Sequence, residues 1–187
     1  MNQKILLLFS STDGHTQKIC YHIESLVKQE GAQVDSCNIK DCSAAMLAKV
    51  DCIVIGASVR YGKFHPDLSA FLTMHQQQLH QKKTAFFGVN LVARKPHKSL
   101  PETNPYVKKF LSNSVWKPDL VSVFAGHLNY PAYSLLDKRM IQLIMWLTKG
   151  PTDTSKTYDF TSWQHVDQFA QAVIKLSHNT DAKLTIG

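Results

Sequence analysis

Several residue types are scarce in this 187-residue chain, and each scarcity excludes a class of protein. The four cysteines, Cys20, Cys37, Cys42 and Cys52, include no Cys-x-x-Cys pair and no matched Cys/His ligand spacing. Neither a disulfide scaffold nor a metal site is expected, and the thiols read as buried and reduced. Only 8 glycines and 7 prolines accompany 44% hydrophobic residues, which excludes collagen-like, low-complexity and disordered chains. The first ten residues carry one lysine and six apolar residues but no small-residue cleavage pattern. They read as a first strand rather than a signal peptide. No internal repeat is visible, and the length suits one domain spanning residues 1–187.

Acidic residues are missing from one stretch. Between Lys82 and Pro118 there are eight lysines and arginines against Glu102 alone, while the rest of the chain is balanced, so the formal +7 is local. Such an excess favours an anionic partner: nucleic acid, anionic lipid or a carboxylate-bearing substrate. Nucleic acid is not expected as a partner, because no zinc finger, RNP-like strand or helix-turn-helix signal accompanies the charge.

What is present alternates in period. Lys4 to Phe9 is a continuous apolar run, as in a strand covered on both faces of a parallel sheet. From Thr16 the spacing turns helical through Ile19, Ile23, Leu26 and Val27, with Gly31 as the stop. Further strands are predicted at 33–39, 51–58, 84–90 and 121–126. Helices are predicted from Pro66 to about His80 and over 162–176, the latter burying Trp163, Phe169 and Ile174. This predicts an α/β fold: a flavodoxin-like, doubly wound, five-stranded parallel sheet in the order 2-1-3-4-5. Function then belongs to the loops after strands one, three and four.

The first of these loops reads Ser10-Ser11-Thr12-Asp13-Gly14-His15-Thr16. Hydroxyls beside the free N–H groups of a helix start suit a phosphate dianion, although a merely capped strand-to-helix turn reads the same way. It is neither a Walker loop nor a Gly-x-Gly-x-x-Gly fingerprint. Asp13 would repel a phosphate and is expected to point toward the helix start. The loop after strand three places Tyr61 beside Arg60, an aromatic plane next to a cation. The loop after strand four, Asn90-Leu91-Val92-Ala93-Arg94-Lys95-Pro96, offers backbone groups. The three arginines of the chain, Arg60, Arg94 and Arg139, lie on these loops or in the insertion described next, and a guanidinium fork suits a carboxylate. Lone loop histidines such as His15, His65 and His97 read as solvent-exposed, which leaves the catalytic residue unknown.

Residues 130–150, before the last helix, form an insertion. Tyr133, Leu136, Met140, Leu143, Ile144 and Leu147 make an apolar stripe opposite Ser134, Lys138, Gln142 and Lys149. The segment is too short to span a bilayer and reads either as an interfacial amphipathic helix or as a helix packed on the core.

Taken together, STDGHT, GASVRYGKFH, NLVARKP, TNPYVKKFL and KRMIQLIM resemble the flavodoxin-type, menaquinone-dependent protoporphyrinogen IX dehydrogenase family of bacterial haem biosynthesis, from Ile5 to about Ile174. The family shares the Asp13 departure from ordinary flavodoxins. The resemblance implies FMN as cofactor, with phosphate binding by Ser11, Thr12, Asp13, Gly14, His15 and Thr16. Ring contacts would come from Tyr61 and from Asn90, Leu91, Val92, Ala93 and Arg94. It further implies protoporphyrinogen IX as substrate, with Arg60, Arg94 and Lys95 meeting its propionates, and menaquinone or ubiquinone as acceptor of three successive electron pairs. Because the quinone is lipid-bound, the resemblance favours the interfacial reading of the insertion, with peripheral contact at the cytoplasmic face of the bacterial inner membrane. The alternatives are a one-electron carrier between proteins, against which the basic charge speaks, and a flavin-free docking module. A yellow purified protein separates the last from the other two.

Overall fold

A computed structural model describes residues 3–178; the ends of the expected 1–187 domain lie outside the described residues. In chain order the elements are β1 (Lys4–Ser10), α1 (His15–Gln29), β2 (Gln33–Asn38), α2 (Ala44–Ala48), β3 (Cys52–Arg60), β4 (Lys63–Phe64), α3 (Pro66–Met74) and α4 (Gln76–His80). They continue with β5 (Lys83–Asn90), α5 (Pro105–Asn113), β6 (Leu120–Ala125), β7 (His127–Asn129), α6 (Leu135–Leu147), β8 (Thr157–Asp159) and α7 (Trp163–His178). Five parallel strands run β2-β1-β3-β5-β6, which is the predicted 2-1-3-4-5 order counted over the parallel strands alone. Four features exceed the prediction: β4 folds back antiparallel on the end of β3, β7 pairs antiparallel with β8 beside the main sheet, and helices α2 and α5 precede β3 and β6.

Alternation within the apolar strands explains the two layers. Ile5, Leu7 and Phe9 of β1 face α1 and α7, where Ile19, Ile23, Phe169 and Val173 close one core. Leu6 and Leu8 face the opposite way, into a core with Leu47, Leu68, Leu72, Phe86 and Trp116. A strand buried on both faces has no polar side to spare, hence the unbroken apolar runs.

Local departures have local causes. The helix predicted from Pro66 to His80 divides at His75, whose φ of −109° and ψ of 19° leave the helical region. Its apolar stripe survives, since Leu68, Phe71, Leu72, His75 and Leu79 are all buried. Trp163 and Ile174 are only half-buried, packing at the rim of the first core. Burial holds for two thiols and not for the other two. Cys20 and Cys52 are enclosed, and burial pushes the Cys52 thiol up to about 12. Cys37 and Cys42 sit half-exposed at edge strand β2 and the turn after it, where the Cys42 thiol donates to the Ser43 carbonyl at 3.7 Å.

A third, smaller cluster lies under the insertion, where Leu128, Tyr130 and Met145 are buried together. Helix α6 is thus seated by Met145 and the half-buried Ile141, while Lys138 and Gln142 also turn inward. Gln142 donates to the Thr152 carbonyl at 2.9 Å. Most of the predicted apolar stripe faces outward instead of forming core: Leu136 is 82% exposed, Leu143 56% and Leu147 66%, with Leu135, Met140 and Trp146 beside them, while Tyr133 and Ile144 turn to the cavity described below. No helix among the described residues is long and apolar enough to cross a membrane.

Candidate functional site

The carboxyl ends of β1, β3 and β5 converge on a cavity of about 140 Å³, as the switch between β1 and β3 dictates. The loop after β1 forms its base. Gly14 adopts φ 78°, a left-handed conformation that costs other residues strain, and this turns the loop into the first turn of α1. The hydroxyls Ser11 Oγ and Thr16 Oγ1 are buried there without a hydrogen-bond partner in the protein. Buried hydroxyls normally find partners, so two orphans beside a helix N-terminus describe a receptor for an anion. The residues fit a phosphate group.

Asp13 does not cap the helix, as the sequence had suggested. Gly14 occupies the cap position without a side-chain bond, and the Asp13 carboxylate instead meets Arg60 at 3.1 Å. The guanidinium cancels the charge that would oppose a phosphate. Arg60 also bonds Asp137 of α6 at 3.0 Å, and the Tyr61 hydroxyl donates to the same carboxylate. Bonds from Tyr61 and Ser134, with the Arg60 charge, hold the Asp137 carboxyl below the usual carboxylate range. Burial works against the Arg60 charge, but Tyr61, Asp13 and Asp137 together raise its pKa. Tyr61 takes φ 50° and Gly62 φ 79°, a tight turn that leaves the Tyr61 ring 48% exposed at the cavity wall.

The loop after β5 supplies Asn90, Leu91 and Val92 to the opposite wall. Asn90 is buried, accepting from Ala93 N–H at 3.1 Å and exchanging amide bonds with Asn104, the N-cap of α5. Ala93, Arg94 and Lys95 do not line this cavity, and Gly14 shapes it without facing it. Ala93 is buried behind the loop. Arg94 turns away: its guanidinium donates to the Leu91 carbonyl at 2.7 Å and to the Thr148 carbonyl and hydroxyl at 3.1 and 2.9 Å, and burial lowers its pKa. Thr148 caps the C-terminus of α6. Two of the three arginines therefore grip the inserted helix, one near each end.

The expected basic face is similarly depleted. Lys82 donates to the Ala48 and Val50 carbonyls, and Lys117 to that of Leu111.

His15 departs from the exposed position expected of it. Its side chain is 10% exposed, stacks on His127 with ring centroids 5.4 Å apart, and lies 2.7 Å from Thr161 Oγ1. The Thr161 hydroxyl spends its proton on the Ala125 carbonyl, so His15 Nε2 carries a hydrogen and donates. Burial pushes the His15 pKa down to about 4, against the opposing pull of Asp159. His15 is neutral at pH 7. By contrast, His65 and His97 are exposed.

Sequence reasoning missed the roof. Tyr133, Ile141 and Ile144 of the insertion border the same cavity as the phosphate loop, as do His127 and Tyr106. No local pattern announces this, because His15 and Thr161 are 146 positions apart and Tyr61 and Asp137 are 76 apart.

A family profile described as a flavodoxin domain matches residues 6–155. Protoporphyrinogen IX dehydrogenase (quinone) of Escherichia coli strain K12 is 43% identical over 178 residues, covering 95% of this chain and 97% of that protein. The protein of the same name from Leishmania major is 42% identical over 168 residues, 89% of this chain and 73% of its own length. Among solved structures, a flavodoxin from the domain Archaea superposes with a TM-score of 0.54 at 15% identity, over 95% of this chain and all of that one, a likeness of fold alone. The chain belongs to the flavodoxin-domain family, and within it to the branch of the protoporphyrinogen IX dehydrogenase (quinone) relatives.

Proposed function

We propose that this chain binds FMN and oxidises protoporphyrinogen IX to protoporphyrin IX, delivering the electrons to menaquinone or ubiquinone. The observation that carries the reading is the pair of orphaned hydroxyls, Ser11 Oγ and Thr16 Oγ1, at the base of a cavity walled by Tyr61, in a chain 43% identical to a relative of that name. When bound, FMN supplies the two-electron acceptor chemistry that the side chains lack.

The chain's own residues do the rest. Ser11, Thr12 and Thr16, with the loop N–H groups, hold the phosphate, while Arg60 screens it from Asp13. Neutral His15 presents its Nε2 hydrogen to Thr161 and braces the start of α1 without adding charge. Tyr61 and the backbone of Asn90 to Val92 flank the planar ring. Tyr133, Ile141 and Ile144 exclude water from above. Of the cations read from the sequence for the substrate's propionates, Arg60 stands at the cavity rim and Lys95 on the loop after β5, while Arg94 serves the inserted helix.

The outward apolar face of α6, flanked by the exposed Arg139 and Lys149, supports peripheral attachment at the cytoplasmic face of the bacterial inner membrane, where a lipid-soluble quinone is reached. Anaerobic turnover of protoporphyrinogen IX with a water-soluble quinone tests the reading. Porphyrin fluorescence that rises only with a purified, yellow protein supports it. A yellow protein that passes electrons to proteins and leaves protoporphyrinogen IX untouched overturns it.

A further inference from the structure

Resting on the tetrapyrrole reading above, we propose that the substrate's carboxylate arms enter a second cavity beside the first, where Lys63 and Lys109 receive them. This cavity, of about 340 Å³, lies between α3 and α5 on the far side of the Tyr61–Gly62 turn. One tyrosine ring separates the two spaces, since Tyr106 borders both. Its Cε1 stands 3.6 Å from where a Cβ on Gly62 would lie, so the partition is the width of one turn and one ring.

The chemistry of the lining selects the ligand. Phe64 and Phe110, with ring centroids 4.8 Å apart, form an apolar floor backed by Phe86. Lys63 and Lys109 stand exposed over it, and the lining holds no aspartate or glutamate. Neither lysine has an ion-pair partner among the described residues. Two free cations beside an aromatic floor suit flexible arms of methylene groups that end in carboxylates, and a mobile ammonium follows such an arm better than a fixed fork does.

The neighbouring arginines leave this role open. Arg60 is held between Asp13 and Asp137, and Arg94 is spent on Leu91 and Thr148. A macrocycle lying against Tyr61 can extend its carboxylates past Gly62 into the larger space.

The test compares protoporphyrin IX with its dimethyl ester, which keeps the ring and removes the charge. Binding of each to the full-length, flavin-loaded protein is followed by tryptophan quenching in three forms: wild type, the double variant Lys63→Gln with Lys109→Gln, and Lys108→Gln, a change on α5 outside the cavity. Wild type should prefer the free acid. Because both lysines are exposed, the double variant should bind it about 3- to 30-fold more weakly. Ester binding should stay unchanged, Lys108→Gln should have no effect, and KM should rise with kcat held. An undiminished preference for the free acid in the double variant, or an equal loss in Lys108→Gln, overturns the proposal while leaving the oxidation of protoporphyrinogen IX standing. If wild type neither binds porphyrin nor oxidises protoporphyrinogen IX, the functional reading falls first. A cavity that serves the uncharged quinone would instead show lysine substitutions altering quinone KM and sparing porphyrin binding, which also overturns it.

Discussion

Replacing Leu143 and Leu147 together by glutamate separates a lipid-facing helix from a core helix. The two side chains are 56% and 66% exposed. Fully burying a leucine is worth about 1.5–3 kcal/mol, so a membrane that covers the exposed fraction recovers about 1–2 kcal/mol from each. Losing both should weaken membrane partition by about 2–4 kcal/mol, roughly 30- to 700-fold. Because Met145 and Ile141, not these leucines, seat the helix, the folded state should hardly notice. The melting temperature should fall by no more than a few degrees, part of it from placing a carboxylate in the last turn of the helix, close to its negative dipole end. Co-sedimentation with phosphatidylglycerol vesicles is the assay. Wild type should pellet at low salt and release as ionic strength rises, since Arg139 and Lys149 act through a field screened over about 8 Å at physiological salt. The variant should remain in the supernatant, keep its flavin, lose turnover with lipid-embedded quinone and retain it with a soluble one. A variant that unfolds would show these leucines to be core. One that pellets like wild type would remove α6 from the membrane. Ile144 is unsuited to this test because it lines the first cavity.

Three further outcomes are expected. Arg94→Ala removes hydrogen bonds to Leu91 and Thr148 worth about 1.5–3 kcal/mol, so tryptic cleavage at Lys138 and Arg139 should quicken about 10- to 100-fold. Unchanged cleavage would show that the arginine does not anchor the helix. Gly14→Val meets no atom within 4 Å at its Cβ, yet φ 78° strains a valine by about 1–2 kcal/mol. Opening the turn moves the N–H groups off the phosphate, and full flavin absorbance after desalting would refute this. His15 has a folded pKa of about 4 against 6.5 when unfolded, so stability is unaffected above 6.5 and is lost as pH falls toward 4. The full loss is about 3 kcal/mol, and in the chain stripped of flavin His15→Gln should flatten that limb of the urea-stability profile. A variant profile as steep as wild type would assign the loss elsewhere.

The sheet was legible because its information is local. The central strands are largely apolar runs, β2 alternates weakly, and α1 and α7 carry clear stripes, so their type and the strand order follow from spacing, whereas the short helices α2 and α5 do not stand out. The base of the site was legible for the same reason, since Ser11 through Thr16 are contiguous. The roof was not. Amphipathicity in α6 reports which side is apolar, not which side faces in, and Ser134 to Lys149 would read alike either way. The outcome turns on Met145 finding Leu128 and Tyr130, and on Asp137 finding Arg60 from 77 positions away. Asp13 was misread for a related reason: its partner stands 47 residues along the chain, outside any local pattern. His15 likewise looked like a loop histidine because Thr161 and His127 enter from the far end of the sequence.

The roof over the first cavity has a kinetic consequence for the cofactor. In a flavodoxin-like site open to solvent, exchange of the flavin is governed by how tightly its phosphate and ring are held. Here Asp137 is fastened to Arg60 and Tyr61 at one end of α6, and Thr148 to Arg94 at the other, while Ile141 and Ile144 stand across the opening. A flavin must pass beneath this bar in both directions. Loading and release are therefore both slowed by the same local opening, so residence time and affinity become separate quantities: loosening either fastening should speed exchange in both directions while the equilibrium constant changes far less.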